Sequence, residues 1–270
     1  MKITFLGGGN MATALIGGLL QKGFVATDIK VIELQADNRQ RLARDFGVAC
    51  FEAPEAAALT CDVLVLAVKP QQMRAALAPV APHLKNQLVV SIAAGLRIAD
   101  ICRWAGGHRR IVRTMPNTPA LIGAGITGLY AGPEVDAAGR GQAEQVLAAV
   151  GKTLWIGDEA QMDAVTAVSG SGPAYVFYFV EALQRAAREL GFGEAEARTL
   201  ALETFVGAVA LAAGSGEDVA VLRSRVTSKG GTTEAALQSM TADGVAEAIV
   251  RAVKAAEARG RELGDLLGKD

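Results

Sequence analysis

Histidine is nearly absent from this chain of 270 residues: only His83 and His108 occur. That scarcity argues against a His-ligated metal and against a Ser-His-Asp triad, which needs an imidazole beside its nucleophile. Cysteine is almost as scarce. Cys50, Cys61 and Cys102 are odd in number and widely spaced, which argues against a disulfide framework or a Cys-rich zinc site. No metal is expected, and a reducing, cytoplasmic compartment fits best. A dominant charge is missing too. The formal net charge is -1, so nucleic acid and anionic membrane are poor partners. Two long uncharged runs read as neither a secretory leader nor a membrane span. Ile3–Gln21 carries no charge, but glycines and Asn10 interrupt it, unlike the core of a secretory signal. Thr114–Pro133 is uncharged but broken by three prolines and four glycines, so it does not read as a membrane span. What remains, 51% hydrophobic and 20% charged, is a globular composition with ample core material.

The first half alternates strand and helix patterns. Strands are expected at Ile3–Leu6, Lys30–Leu34, Val48–Phe51, Asp62–Val68, Leu88–Ala93, Arg109–Thr114 and Lys152–Ile156, with a Gly-rich edge strand in Gly123–Gly132. Helices are expected at Asn10–Lys22, Asp37–Phe46, from Pro70 onward, and at Pro133–Gly151. Alternation with short turns implies parallel βαβ units in a doubly wound sheet. After Gly157 the strand signal disappears. Gln161–Val168, Pro173–Leu190, Glu194–Ala213, Val219–Val226, Thr232–Ala242 and Val245–Leu263 all have helical spacing. The sequence therefore divides into residues 1–157, a Rossmann-type α/β domain, and residues 158–270, an all-α domain. Pro173–Leu190 at its start and Thr204–Ala213 are apolar nearly all round. Such helices are buried in a core or against another chain, and a homo-oligomer is expected.

The strongest local motif is Gly7-x-Gly9-x-x-Ala12, which follows a strand and opens a helix. The first glycine permits the tight turn, the second lets pyrophosphate approach the backbone, and the small third residue packs helix on strand. Phosphate charge would meet the free N–H groups of the helix start, Asn10 and Met11 among them. Glu33, near the offset of ~20 residues expected for an acidic ribose ligand, favours NAD. Asn38, Arg39 and Arg41 follow closely and would suit a 2′-phosphate, or a solvated helix face. The cofactor preference stays open between NADH and NADPH. Ala67-Val68-Lys69-Pro70, Ser91–Gly95 with Ala93 and Ala94, and Met115–Pro119 with Asn117 end later strands, where a parallel sheet places its ligand crevice. The prolines around Asn117-Thr118 read as a stiff turn holding two polar side chains out.

Two loops stand out in the helical half. Ser169-Gly170-Ser171-Gly172-Pro173 precedes the apolar helix and reads adequately as its cap. Thr227–Glu234 opens another helix. Its glycines, hydroxyls and free N–H groups make a carboxylate cradle, and an ordinary N-cap at Thr232 accounts for them equally well.

Together these residues resemble the pyrroline-5-carboxylate reductase family. The resemblance rests on Gly7–Ala12, Ala67–Gln71, Ser91–Gly95, Met115–Ala120, Ala164–Tyr175 and Val226–Ala236, in the family's order across nearly the whole chain. Lys229 departs from the proline that many members carry. The resemblance implies a helical dimerisation domain, a homodimer that can assemble further into a decamer, and an active site between the two domains with helices from the partner chain. It implies the NADPH- or NADH-dependent reduction of a cyclic imino acid, the last step of proline biosynthesis. Gly7, Gly9, Asn10, Met11, Glu33, Ala67, Val68, Lys69, Pro70, Ala93, Ala94 and Asn117 are then the cofactor residues. Ser228, Gly230, Gly231, Thr232 and Thr233 are the substrate residues, with Thr233 also catalytic, hydrogen-bonding the ring nitrogen as general acid or relay. Two rivals remain. A 3-hydroxyacid dehydrogenase would resemble its relatives in using a helix-borne lysine, but the helical half offers only Lys229, Lys254 and Lys269. A dinucleotide sensor would have no need of the second glycine loop.

Overall fold

The structure, a computed structural model, describes residues 1–269. The chain forms two compact units. One is Met1–Ser171 with the chain from Ala256 onward, and the other is Gly172–Ala255. The first unit thus extends past the expected boundary at 157 and recovers the end of the chain.

The first unit holds eight strands: β1 Ile3–Leu6, β2 Ile29–Ile32, β3 Ala49–Phe51, β4 Val63–Leu66, β5 Leu88–Ser91, β6 Ile111–Met115, β7 Gly125–Ala131 and β8 Gly151–Trp155. Their order is β3-β2-β1-β4-β5-β6-β7-β8. Neighbours from β3 to β6 pair in parallel, so the doubly wound expectation holds for six strands. The strand expected at Gly123–Gly132 is not an edge, and it does not continue the parallel run from β3 to β6. β7 runs antiparallel to β6, and β8 pairs in parallel outside it. Hydrophobic pattern does not encode strand direction, and the link after β6, a 3-10 turn over Thr118–Ile122 that ends at Gly123 with φ 71°, lets the chain turn back.

β4 explains why the centre of the sheet is legible. All four of its residues, Val63 to Leu66, are fully buried. Covering both faces of a parallel strand removes any polar alternation. One face carries a core around Phe5, Leu15, Ile16, Val65 and Val90, and the other a core around Leu64, Leu66, Met73, Leu77 and Val89. Helices α1 Asn10–Gln21, α2 Ala36–Phe46, α3 Met73–Leu77, α4 Ile98–Trp104 and α5 Ala137–Leu147 surround the sheet. The helix from Pro70 starts as a 3-10 turn, Pro70–Gln72, before α3. The helix expected over Pro133–Gly151 is only α5, started by Asp136, which accepts from the Gly139 amide at 2.7 Å. α4 carries no expectation from the sequence.

His108 lies just before β6, half-buried, with its Nε2 donating to the Gln87 carbonyl at 2.9 Å. Burial pushes its imidazole below the usual 6.5. The unfolded chain therefore binds a proton that the folded chain resists, and stability falls as pH drops below 6.5 towards the lowered folded value. Urea midpoints at pH 7.5 and 5.5 should fall less on acidification in His108→Gln than in the wild type. Equal falls in both would remove His108 as a cause.

Helix α6 Met162–Val165 continues into a π-turn, Thr166–Gly170, where the Ser171 amide donates to the Thr166 carbonyl at 2.8 Å. The loop expected at Ser169–Pro173 is therefore helical from the start. Such π-turns recur at functional sites.

The second unit contains α7 Gly172–Glu189, α8 Glu194–Ser215, α9 Val219–Arg225, α10 Thr232–Ala242 and the start of α11 Val245–Leu267. α7 buries only Val180, and α8 only Ala197 and Ala201. Phe177 is 67% exposed and Tyr178 71%, while Val206, Val209 and Leu211 are also exposed. The apolar helices are therefore not the core of a self-contained bundle. By length and composition alone, α8 is also long and apolar enough to cross a membrane.

Candidate active site

The carboxyl ends of β1, β2, β4, β5 and β6 face one edge of the sheet, and the expected cofactor residues follow them in turn. Chain order reverses between β1 and β4, which marks the crevice where open α/β sheets bind ligands.

Gly7 leaves β1 with φ 103°, and its amide donates to the Ile32 carbonyl at 2.8 Å. A Cβ on Gly7 would sit 2.7 Å from the Ala67 carbonyl oxygen and 3.0 Å from Val68 Cγ1. Gly7, Ala67 and Val68 thus form one close-packed junction between β1 and β4. Gly8 is equally tight: a Cβ there would be 2.6 Å from Leu42 Cδ1 and 3.2 Å from Glu33 Oε2. Gly9 is different, because a Cβ there would meet no protein atom within 4 Å. Gly9 is the N-cap of α1 and gives that helix no side-chain cap. The first helical bond runs from the Thr13 amide to the Gly9 carbonyl at 2.9 Å, so the amides of Asn10, Met11 and Ala12 have no intrahelical acceptor. An open face, free donors and a helix N-terminus fit a pyrophosphate.

Glu33 directly follows β2. Its Oε2 accepts from the Gly8 amide at 2.9 Å and its Oε1 from the Gln35 amide at 2.8 Å. Arg39 donates from Nη1 to the Glu33 and Leu34 carbonyls, at 2.8 and 2.6 Å, and pairs with Glu52 at 3.1 Å. Arg41 donates to Thr13 Oγ1 at 3.2 Å. Neither arginine is merely a solvated helix face. The Gly8–Glu33 bond is the contact that sequence spacing missed. Its only signal was a third glycine where the fingerprint allows any residue.

Lys69 is exposed and caps the Pro70 turn. Ala93 is buried and Ala94 exposed after β5, with the Ala93 amide donating to Ser91 Oγ at 3.3 Å. Asn117 departs from expectation. Its side chain is buried rather than held out: Oδ1 accepts from the Ile126 amide at 3.0 Å, and Nδ2 donates to the Ser169 carbonyl at 3.1 Å. It ties the end of β6 to β7 and to the π-turn. Thr118 remains exposed.

The loop before α10 belongs to the helical unit. Gly231, not Thr232, is the N-cap, without a side-chain cap. Gly230 takes φ 73°, and its amide is already engaged by Glu234 Oε2 at 2.7 Å. Gly230 therefore does not offer a free donor, which corrects its place in the cradle. The acidic residue four positions on was the available signal. Thr227 bonds the Arg223 carbonyl at 2.7 Å. Among the described residues, the hydroxyls of Ser228, Thr232 and Thr233 have no protein partner.

Comparison with known proteins accounts for both halves. Residues 159–263 match the family model "Pyrroline-5-carboxylate reductase dimerisation", and residues 2–95 match "NADP oxidoreductase coenzyme F420-dependent". The pyrroline-5-carboxylate reductase of Pseudomonas aeruginosa is 47% identical over 99% of this chain and 98% of its own. The chain belongs to the pyrroline-5-carboxylate reductase family. Solved structures of the family agree. The Coxiella burnetii enzyme superimposes with a TM-score of 0.92 at 39% identity, covering 97% of this chain and 98% of that one. The Plasmodium falciparum enzyme, with NADP bound, gives 0.86 at 28% identity, covering 98% of both. The family's dimerisation model begins at 159, close to the expected 158, whereas the compact helical unit begins only at Gly172.

Proposed function

We propose that the chain reduces 1-pyrroline-5-carboxylate to L-proline with NADPH or NADH, an oxidoreductase step on a carbon–nitrogen bond and the last step of proline biosynthesis. Kinship with reductases of that activity over 99% of the chain carries the reading. The dehydrogenase and sensor alternatives have no comparable support.

A bound reduced nicotinamide would supply the hydride for the imine carbon, while the ring nitrogen carries the proton. The substrate brings that proton as an iminium, so no histidine is required. The protein's task is then orientation and proximity. Gly7, Gly9, Asn10 and Met11 hold the phosphates and Glu33 the adenosine ribose. Ala67, Val68, Lys69, Pro70, Ala93 and Ala94 line the nicotinamide side. Asn117 acts there through the backbone it fixes. In the helical unit, the hydroxyls of Ser228, Thr232 and Thr233 and the amides at the α10 N-terminus hold the substrate carboxylate. Thr233 also hydrogen-bonds the ring nitrogen: its oxygen accepts from the iminium N–H, and its hydroxyl can donate to the nitrogen lone pair that hydride transfer creates.

Removing one hydrogen bond of this kind from the reacting complex lowers turnover on the order of tenfold. Thr233→Ala should therefore lose turnover by about that factor while the dissociation constant for NADH or NADPH stays within about twofold, and Thr233→Ser should recover most of it. Undiminished turnover in Thr233→Ala would sink the assignment. Proline-dependent reduction of NAD(P) at high pH tests the activity itself. A rate with hydroxy acids but none with proline would favour the dehydrogenase.

The exposed apolar residues of α7 and α8 are the surface for a second copy. Glu194, Glu196, Arg198 and Glu203 along α8 suit a protein interface better than a lipid core. A cytoplasmic homodimer follows, with neither nucleic acid nor membrane as partner. Light scattering at micromolar concentration separates a dimer from a decamer.

A further inference from the structure

The reductase reading leaves two dinucleotides open, and the residues after β2 discriminate between them. We propose that this chain selects NADH, with Glu33 excluding the 2′-phosphate of NADPH. The inference rests on the cofactor site proposed above.

Glu33 stands at the carboxyl end of β2, where an acidic side chain of this fold receives the adenosine ribose. Its carboxylate is fixed rather than free to swing away. One oxygen is held by the Gly8 amide at 2.9 Å, and the other by the Gln35 amide at 2.8 Å. Leu42 packs beneath Gly8, so the turn and the carboxylate move together. Each carboxylate oxygen has two acceptor sites. The amides take one on each, and the remainder suit the hydroxyl donors of an unmodified ribose. A 2′-phosphate brings ~1.5–2 negative charges and acceptor oxygens to the same point. It would replace donors with like charge, which is how a site rejects a near-identical ligand.

The nearby cations do not offset this. Arg39 is the sequence's best candidate for a 2′-phosphate, but its guanidinium is turned onto the Glu33 and Leu34 carbonyls and paired with Glu52. Its side chain is only 20% exposed. Freeing it would leave two carbonyls and a carboxylate without their donor. Arg41 is likewise engaged: its Nη2 donates to Thr13 Oγ1 in the first turn of α1 at 3.2 Å and to the Gly8 carbonyl at 3.5 Å. Asn38 is engaged with Gln35 Oε1 at 3.2 Å.

Calorimetric titration of the full chain with NADH and with NADPH tests this without relying on turnover. NADH should bind at least about tenfold tighter, since like-charge juxtaposition costs several kcal/mol. Glu33→Gln should narrow that ratio by about tenfold through tighter NADPH binding. Arg39→Ala removes a donor from the Glu33 and Leu34 carbonyls but no ligand of a 2′-phosphate, so it should not shift the ratio further towards NADH. In the unaltered protein, 5′-ADP should displace NADH better than 2′,5′-ADP, a comparison that needs no variant. Equal or tighter NADPH binding, an unchanged ratio in Glu33→Gln, or selective loss of NADPH in Arg39→Ala would each overturn the inference. Failure to bind either dinucleotide would instead overturn the cofactor site on which it rests.

Discussion

Gly7→Ala should lower dinucleotide affinity at least about a hundredfold, equivalent to ~2.7 kcal/mol, and destabilise the first unit as well. Two effects combine. At φ 103° a side chain enters a left-handed region that costs ~1–2 kcal/mol for a residue with a Cβ. The new methyl would also lie 2.7 Å from the Ala67 carbonyl oxygen and 2.9 Å from its carbon. Both are backbone atoms of the junction after β4, so neither can rotate aside. Relief comes only by opening the turn, which loosens the Gly7–Ile32 and Gly8–Glu33 hydrogen bonds. Gly9→Ala is the matched control. Its methyl meets no protein atom within 4 Å, so stability should fall by at most about 1 kcal/mol, the scale of an N-cap change. Affinity should still fall, because the methyl takes the approach of the pyrophosphate. Paired melting curves and NADH titrations check both variants. A Gly7→Ala protein that binds NADH like the wild type would remove this turn from the cofactor site.

The contrast between the two glycines shows how far local pattern reaches. Spacing alone located the turn, the strand before it and the helix after it, because a tight turn and a buried strand are local constraints. Val63–Leu66 was legible for the same reason: full burial on both faces writes an unbroken apolar run. Other features depend on partners far along the chain. The first unit recovers the end of α11 through Arg97 Nη2 to Asp265 Oδ1 at 2.5 Å and Arg103 Nη2 to the Gly268 carbonyl at 2.6 Å. These pairs are 168 and 165 positions apart, and no periodicity announces them. α4 is only seven residues long, too short for a helical period to stand out. Asn117 looked like an exposed turn residue because its two partners, the Ile126 amide and the Ser169 carbonyl, belong to β7 and the π-turn. The loop at Thr227–Glu234 stood out by composition, but the engagement of Gly230 by Glu234 did not, since a free and a capped amide read alike in sequence.

Arg113→Met should cost about 3–5 kcal/mol of stability, as expected when one partner of a buried charge cluster is removed. Arg113 lies in β6 with its side chain 3% exposed. Nη1 meets Glu159 Oε1 and Nη2 meets Asp163 Oδ1, each at 3.2 Å. Glu159 Oε1 also accepts from the Ile98 amide at 2.8 Å, so one guanidinium secures both the start of α4 and α6. Methionine restores much of the volume but leaves two carboxylates facing each other without a counter-ion. If that uncompensated charge is the cause, Arg113→Met with Asp163→Asn should recover at least ~1 kcal/mol over the single variant. No recovery would place the loss in packing instead. Dinucleotide affinity gives the contrasting readout. The adenosine end of the proposed cofactor site stands on β1 and β2, which the charge cluster does not touch. Measured well below the lowered melting point, NADH binding by Arg113→Met should therefore stay within about threefold of wild type, as for independent sites. A loss as large as that expected for Gly7→Ala would mean that β6 and the β1–β2 edge respond as one body, and the charge cluster would then belong to the cofactor site.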